Sequence, residues 1–206
     1  QMRMQPGEQT HEYAGRIITE CKRVVVIVRN LLAFARQDKE QHSPSQVGDI
    51  INAAVTLVGS VLRKDQITIL LDIPENLPSV RCRNQQIQQV IVNLLTNARD
   101  ALNERYSGYD PDKIVSITVQ EFEKDGRKWI RTSVEDHGTG MPAKTMARIF
   151  DPFFTTKPRG VGTGLGLSVS HGIIREHRGE LTVESEEGKF TRFFMDLPVD
   201  NLWKLG

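Results

Sequence analysis

Two periods of hydrophobic residues run along the chain, and they predict helices and strands at different places. Apolar positions that recur at steps of three and four predict three helices, at residues 12–37, 47–62 and 84–103. Runs of β-branched and aromatic residues predict extended segments at residues 67–73, 79–82, 117–136 and 192–197. A further helix is expected to begin at Leu165 or Gly166.

The first predicted helix, residues 12–37, carries a narrow apolar seam. The seam recurs in the manner of a heptad repeat, at Tyr13, Ile17, Cys21, Val24, Val28, Leu31 and Ala35. A polar linker at residues 37–45 follows, and its Ser43-Pro44 pair favours a helix end. Since no helix of similar length lies next to it, the seam is expected to pack on a second chain or on a helix outside this sequence. Packing against the rest of this chain is the alternative.

The predicted helix at residues 84–103, with Asn84 as its expected N-cap, carries polar side chains along the edge of its apolar face. Spaced by four, four and three residues, these side chains are Gln89, Asn93, Asn97 and Asp100. Amides beside a core are costly unless they are paired. They are interpreted either as oxygen ligands for Mg²⁺ and phosphate or as the partly solvated edge of an ordinary helix.

A glycine cluster leads into the last predicted helix. Its members are Gly160, Gly162, Gly164 and Gly166. Glycines at this spacing let backbone N–H groups approach a phosphate chain, and a helix N-terminus adds its dipole. Neither GxxxxGK followed by Ser or Thr nor GxGxxG within a βαβ unit is present. The cluster is interpreted as a phosphate cradle of another type, with a flexible loop as the alternative.

Asp136 ends the extended segment at residues 117–136 and precedes Gly138 and Gly140. A carboxylate at a strand end among small residues can accept a hydrogen bond from the amino group of adenine and repel the carbonyl group of guanine. This interpretation makes Asp136 a selector for adenine nucleotides. The alternative is a turn aspartate that stabilises Gly138.

Composition and charge exclude several classes of protein. The 206 residues suffice for one ordinary domain plus an appendage, and 38% of them are hydrophobic, enough for a core. The net charge of +1 gives no reason to expect a nucleic-acid partner or a membrane surface. Cys21 and Cys82 form no metal or redox motif and are expected to be small buried residues. No apolar run approaches the ~20 residues of a membrane span. A cytoplasmic domain is therefore expected, and a membrane anchor elsewhere in a longer parent protein stays open.

Four motifs, in order, resemble the signature boxes of the sensor histidine kinases of two-component systems. The N, G1, F and G2 boxes are resembled by residues 93–101, 136–140, 149–157 and 162–167, and the closing element by residues 188–191. The resemblance covers about residues 12–198 and implies an α+β fold. The expected architecture is a two-layer α/β sandwich with a mixed sheet, preceded by a long N-terminal helix. This is the Bergerat-type ATP-binding fold that gyrase B, the Hsp90 chaperone and MutL share. Residues 1–42 would be part of a dimerisation region, and residues 43–206 the catalytic ATP-binding domain.

The resemblance also implies that ATP binds with Mg²⁺ under a mobile lid at residues 139–161. Asp136 would accept a hydrogen bond from the adenine amine, Gly140 would lie beside the base, and Thr191 would help close the pocket. His137 departs from the asparagine that is commoner at its position, but the neighbouring Asp136 and Gly140 carry the implied contact.

On the phosphate side, the resemblance implies that Asn97 ligates Mg²⁺, with Asn93 near the metal, and that Lys157 reaches the terminal phosphate. The other implied nucleotide contacts are Asp100, Gly138, Met141, Phe154, Thr156, Gly162, Thr163, Gly164, Leu165, Gly166 and Leu167. The glycine loop would contribute backbone N–H groups.

Asn93 bears on the type of reaction. The hydrolytic relatives carry a glutamate at this position, which activates water, whereas an amide cannot take a proton. Asn93 and Lys157 are therefore the expected catalytic residues, and a histidine is the expected nucleophile. In the resembled family this histidine lies on a dimerisation hairpin, and residues 24–36 resemble the second helix of that hairpin.

The acceptor histidine is expected on a first helix outside this sequence. His11 precedes a glutamate, as the family's acceptor does, but it lies too close to the second helix and is interpreted as a coincidence. His42, His171 and His177 are expected in surface or packing positions. The whole protein is expected to form a homodimer through its N-terminal helix and to pass the phosphoryl group to the receiver domain of a response regulator.

The sequence is thus interpreted as the ATP-binding catalytic domain of a sensor histidine kinase. Two alternatives are an ATPase or molecular clamp of the same fold and a non-catalytic dimerisation module. Asn93 argues against the ATPase, and the intact glycine motifs argue against the module without nucleotide.

Overall fold

The computed structural model describes residues 42–158 and 162–199. The predicted helix at residues 12–37, its role in dimerisation and His11 lie outside the described residues, as do residues 159–161 of the predicted lid. The division of the chain at residue 42 stays a prediction.

The described ranges contain both helices and strands. In order they are β1 Ser43–Ser45, α1 Val47–Lys64, β2 Thr68–Asp72, β3 Val80–Cys82, α2 Asn84–Arg105, β4 Ile114–Lys124, β5 Arg127–Asp136, α3 Ala143–Met146, α4 Gly166–Glu176, β6 Glu180–Glu186 and β7 Phe190–Pro198. Among the described helices, none combines the length and the apolar character that crossing a bilayer requires.

Five strands form a mixed sheet in the order β2-β4-β5-β7-β6. Strand β2 runs parallel to β4, and the other neighbours are antiparallel. Strands β1 and β3 form a separate antiparallel pair. A mixed sheet with packed helices confirms the predicted α+β class. At the end of β5, Asp136 is paired with Val115 on one side and Thr191 on the other, so the carboxylate lies at the middle of the sheet.

Helix α2 packs its apolar stripe toward the sheet, and this joins the helices and the sheet in one core. The buried members of the stripe are Ile87, Val90, Ile91, Leu94, Leu95, Ala98 and Leu102. They share one core with the inward residues of the sheet, among them Ile117, Val134 and Met195. Full burial contributes ~1.5–3 kcal/mol for each large aliphatic side chain. This packing sets the polar edge of α2 against the ends of β5 and β7.

The extended segment predicted at residues 117–136 is not one strand but a hairpin of β4 and β5. Asp125 and Gly126 form its turn with φ of 54° and 70°. Two consecutive residues in the left-handed region are typical of a two-residue turn that matches the twist of the strands. The Asp-Gly pair was the signal, and the alternation on both sides of it concealed the break.

The predicted cap at Asn84 is wrong, because Arg83 occupies the N-cap position and Asn84 is the first residue of α2. The backbone N–H of Arg83 donates to Nε2 of His177, 3.0 Å away, which holds the chain extended before the helix. The side-chain oxygen of Asn84 instead accepts from the Cys82 thiol at 3.5 Å. Strands β1 and β6 also lie in segments for which the sequence pattern predicted no strand.

His42, His171, His177 and Cys82 have packing contacts, as expected. His177 is fully buried, and Nδ1 donates to the Ile173 carbonyl at 2.8 Å while Nε2 accepts from Arg83. Burial lowers the pKa of His177, so the ring is neutral. The ring of His42 lies 5.0 Å from it, and that of His171 stacks 4.9 Å from Phe150. Burial raises the pKa of the Cys82 thiol to about 11.

Candidate functional site

One cavity lies where the end of β5, the polar edge of α2 and the glycine loop before α4 meet. Its volume is about 510 Å³, within the range usual for small-ligand sites. Most of the residues that the sequence predicted for nucleotide binding line it together. They are Asn93, Asn97, Asp100, Asp136, Gly140, Met141, Phe154, Thr156, Lys157, Gly162, Thr163, Gly164, Gly166, Leu167 and Thr191.

Two residues of the predicted set, Gly138 and Leu165, do not line this cavity. The N–H of Gly138 turns inward and donates to Oδ1 of Asp136 at 2.9 Å. The N–H of Leu165 lies 3.4 Å from Oγ1 of Thr163, and Leu165 is the N-cap of α4. Both residues therefore shape their neighbours instead of forming the cavity wall.

Asp136 is a buried carboxyl group at the floor of the cavity, 4% exposed. Burial raises its pKa to about 7, the nearby Glu135 adds to the shift, and the hydrogen bond from Gly138 opposes it. Among the described residues, Gly138 is the one hydrogen-bond donor to this carboxyl group. Its second oxygen is therefore left for a group within the cavity. The turn contact and the cavity position, which the sequence posed as alternatives, occur together.

The loop after Asp136 is bound to the β6–β7 hairpin. Gly140 has φ of 64°, and a Cβ there would lie 2.1 Å from the Glu186 carbonyl oxygen, so only glycine fits this approach. The N–H of Gly188 donates to the Thr139 carbonyl at 2.7 Å. The N–H of Met141 donates to Oγ of Ser185 at 2.8 Å. The hairpin thereby forms the wall beside Asp136.

Arg105, the last residue of α2, ties the same loop from the other side. Its Nη1 lies 3.0 Å from each of the carbonyl oxygens of His137, Gly138 and Lys189. One guanidinium group thus joins the loop after β5 to the turn between β6 and β7. No sequence motif marked Arg105, because a basic residue at the end of a helix is common for reasons of the helix dipole alone.

Asn93 belongs to α2, and its side chain faces α4. Its Nδ2 donates to Oγ of Ser170 at 3.0 Å. On the other side, a Cβ at Gly166 would lie 2.4 Å from Asn93 Oδ1. The first glycine of α4 therefore makes room for the amide, and both asparagines of the predicted pair, Asn93 and Asn97, border the cavity.

Lys157 and Asp100 face each other across the mouth of the cavity. Nζ of Lys157 lies 2.5 Å from Oδ2 of Asp100, and about a third of each side chain is exposed. The lysine predicted for a terminal phosphate is therefore paired with a carboxylate of α2. An anion entering the cavity would compete with that carboxylate for the same cation.

Phe153, which lies within the predicted lid, and the glycine loop are bound to each other. Phe153 has φ of 66°, rare for an aromatic residue. Its N–H donates to the Gly164 carbonyl at 2.9 Å. Gly164 has φ of 67°, and a Cβ there would lie 2.4 Å from the backbone carbon of Phe153. Movement of one segment must therefore carry the other.

Other residues line the cavity besides the predicted nucleotide contacts, some of them within the motifs and some outside them. These residues are Gln89, Val92, Thr96, Ala101, Glu104, Thr139, Thr145, Ile149, Thr155, Val169, Ser170 and Phe193. Helical spacing could have indicated Ser170, since it lies four residues after Gly166 and thus on the same face of α4.

Comparison with known proteins places the described fold in a family. Residues 82–201 match the family described as histidine kinase-, DNA gyrase B-, and HSP90-like ATPase. Sporulation kinase E of Bacillus subtilis is 33% identical over 187 residues, which cover 91% of this chain and 24% of that protein. Sensor histidine kinase ZraS of Escherichia coli is 30% identical over 194 residues, 94% of this chain and 39% of that protein.

The chain spans about a quarter of the length of sporulation kinase E (24%). It spans a fifth of the length of two-component sensor PprA of Pseudomonas aeruginosa (20%). Among solved structures, the catalytic domain of histidine kinase ThkA has a TM-score of 0.64 and 28% identity, covering 77% of this chain and 96% of that one. Full-length ShkA in complex with AMPPNP has a TM-score of 0.69 at 21% identity, covering 96% and 40%. The ShkA similarity concerns the fold alone.

Proposed function

This chain belongs to the histidine kinase-, DNA gyrase B-, and HSP90-like ATPase family and carries an ATP-binding catalytic domain of the sensor histidine kinase type, and we propose that it transfers the γ-phosphoryl group of ATP to a histidine imidazole. The observation that carries this proposal is Asn93. An amide, not a carboxylate, borders the cavity at this position, and the buried Asp136 lies in the same cavity. Position 93 thus offers no base for water, whereas the cavity brings together most of the residues proposed to bind the nucleotide.

Asp136 would hold the adenine amine with the oxygen that Gly138 leaves unbonded. The burial of this carboxyl group supports a selective contact, because an amine in the cavity would satisfy a polar atom that is otherwise poorly solvated. Gly140 and Thr191 line the same end of the cavity, and the loop held by Arg105 would close around the base.

At the other end, the glycine loop and the N-terminus of α4 would receive the phosphates. A helix N-terminus presents free N–H groups and the positive end of its dipole. Lys157 would leave Asp100 and bind the terminal phosphate. The locked pair of Phe153 and Gly164 would move with the loop, so that phosphate binding and the position of Lys157 are coupled.

The donor set of the cavity fits Mg²⁺. The amide oxygens of Asn93 and Asn97 and the carboxylate of Asp100 are hard oxygen ligands. Within the described residues, no group of three or more His, Cys, Asp or Glu could hold a metal ion by itself. A few protein oxygens suit an ion that keeps waters and shares phosphates, and its chemistry would be to neutralise charge on the phosphate chain.

In the proposed reaction the lone pair of an imidazole nitrogen forms a bond to the γ-phosphorus. The bond from that phosphorus to its bridging oxygen breaks, and ADP leaves with the electron pair. The proton of the imidazole passes to solvent. This chain contributes mainly the position and the charge of Lys157 and the N–H groups, which suits phosphoryl transfer, a reaction governed by orientation and electrostatics.

The proposed partners follow from the family. The acceptor histidine would come from a dimerisation helix, the working form would be a homodimer, and the phosphoryl group would pass to a response regulator. The domain is proposed to act in the cytoplasm, where ATP is available.

The test is to mix the chain with a separately produced helical hairpin that carries an acceptor histidine, with labelled ATP and Mg²⁺. We expect acid-labile, base-stable label on the hairpin and none on a hairpin whose histidine is replaced by glutamine. Without hairpin, ATP turnover should stay well below about one per second, the low end of the usual enzymatic range. Sustained turnover at that rate without an acceptor would favour an ATPase clamp. Absence of ATP binding would favour a non-catalytic module.

A further inference from the structure

Ser170 is a buried polar residue that the nucleotide motifs do not include. It lies in α4, one turn after Gly166, and is 2% exposed. Its Oγ accepts a hydrogen bond from Nδ2 of Asn93 at 3.0 Å. The contact crosses from α4 to α2 and lies at the wall of the cavity.

The direction of this hydrogen bond matters because an asparagine amide has two different ends. The nitrogen carries two protons and repels a cation, whereas the oxygen can ligate a metal ion. With its nitrogen committed to Ser170, Asn93 has its oxygen left for the cavity. The position of Gly166 agrees with this orientation, since a Cβ there would lie 2.4 Å from Asn93 Oδ1 and the α-hydrogen therefore points at the oxygen.

We propose that Ser170 is a positioning residue for the metal site: its hydroxyl group holds the Asn93 amide with the oxygen toward Mg²⁺. This inference rests on the proposed function, because it assumes that ATP binds with Mg²⁺ in this cavity. Partners of this kind behind a metal ligand affect metal affinity by about tenfold or more. Ser170 would then contribute to the gain in ATP affinity that Mg²⁺ provides, and not to ATP affinity as such.

The competing account is that Ser170 only fills space between α2 and α4. The two accounts differ in what the hydroxyl group does. If it only fills space, its removal affects folding and all ligands equally. If it orients Asn93, its removal affects binding in the presence of Mg²⁺ and leaves binding in its absence unchanged.

The experiment compares Ser170→Thr with Ser170→Val, which have nearly the same shape and differ in the hydroxyl group. ATP affinity is measured by calorimetry with Mg²⁺ and with EDTA, and thermal melts check the fold. We expect the threonine variant to keep the gain from Mg²⁺ and the valine variant to lose about tenfold of it, with affinities in EDTA within about twofold of each other. Ser170→Ala, which removes the hydroxyl group without adding atoms to this buried position, should behave like the valine variant.

Ser168→Ala is the matched control on the same helix. The Ser168 hydroxyl donates to the Leu165 carbonyl at 3.0 Å and does not contact Asn93. Its removal should leave the ratio of the two affinities unchanged.

A second measurement places Ser170→Val in an Asn93→Asp background. A carboxylate presents oxygen in either orientation, so Ser170 is no longer needed to turn an oxygen of residue 93 toward Mg²⁺. We expect the valine substitution to have no further effect on the gain from Mg²⁺ there, a non-additivity that a packing role would not produce. Equal losses in both backgrounds, or equal affinity ratios for the threonine and valine variants, would overturn the proposal. If the unmodified chain binds ATP without any gain from Mg²⁺, the metal site of the proposed function fails first, and the inference fails with it.

Discussion

Nζ of Lys157 lies 2.5 Å from Oδ2 of Asp100, so a cation of the predicted lid and a carboxylate of α2 form an ion pair at the mouth of the cavity. The same lysine is the expected partner of the terminal phosphate. A single ammonium group cannot hold both anions at full strength, and ATP must compete with Asp100 for it.

This competition predicts the effect of Asp100→Asn. Partly exposed pairs are worth up to about 1 kcal/mol, so removal of the carboxylate should tighten ATP binding up to about fivefold in EDTA. Calorimetry is carried out in EDTA because removal of Mg²⁺ separates this effect from the metal contact proposed for Asp100. Glu104→Gln, the same change of charge one turn later on α2, is the control and should have a smaller effect. Weaker binding of ATP by Asp100→Asn in EDTA would contradict the competition.

Asp136→Asn tests the contact with adenine. The substitution keeps the shape but offers a mixed donor and acceptor to the base. We expect ATP affinity to fall at least tenfold, about 1.4 kcal/mol, with a much smaller change for inorganic triphosphate, which lacks the base. If ATP binds to the variant as it does to the unmodified chain, Asp136 serves only its turn with Gly138.

The same substitution should stabilise the free protein at neutral and alkaline pH. The pKa of Asp136 is raised by burial from 3.8 to about 7, so the folded state binds the proton more tightly than the unfolded state does. The stability of the unmodified chain therefore falls as the pH rises from about 4 to about 7 and is level above that. Asparagine lacks this cost, and its advantage should be near zero at pH 4 and reach up to about 4 kcal/mol at pH 8. Urea unfolding at several pH values measures the difference, and a gap independent of pH would contradict the raised pKa.

Replacement by alanine is expected to have opposite effects on stability at Gly140 and at Gly172. Gly140→Ala places a Cβ 2.1 Å from the Glu186 carbonyl oxygen at φ of 64°, so we expect a loss of more than about 1 kcal/mol in unfolding free energy and loss of ATP binding. Gly172 lies within α4 with open space beside it. Gly172→Ala should therefore stabilise the chain by ~0.5–1 kcal/mol. Tolerance of alanine at position 140 would mean that the loop is not seated on the hairpin.

Arg105→Gln tests whether the guanidinium group shapes the adenine end of the cavity. Its three carbonyl contacts join two loops, and their loss should weaken ATP binding by roughly 1 kcal/mol, about fivefold. Arg175→Gln is the control, since Arg175 lies in the last turn of α4 and away from these loops. Calorimetry with ATP measures both variants. If both variants bind ATP with equal affinity, Arg105 serves only the end of α2 and does not shape the cavity.

Local structure could be predicted well where a pattern repeats within one element. The apolar stripe of α2, the end of β5 at Asp136 and the start of α4 at Gly166 match the periodicity and the glycine spacing. The predictions were wrong where a short signal competed with a long one. Asp125-Gly126 divides one predicted strand into two, and His177 holds the backbone of Arg83 in the cap position expected for Asn84.

The chemistry of the candidate site divides in the same way. The residue types that a nucleotide site needs can be read from the sequence alone, because the glycines, the amides and Asp136 stand in ordered motifs. Three contacts emerge from the folded chain: Ser170 accepts from Asn93, Arg105 joins His137 to Lys189, and Lys157 is paired with Asp100. These contacts link residues that lie 32 to 84 positions apart, with 77 between Asn93 and Ser170 and 57 between Asp100 and Lys157. Local periodicity carries no information about such distances, and they are set by how the apolar face of α2 packs on the sheet and on α4.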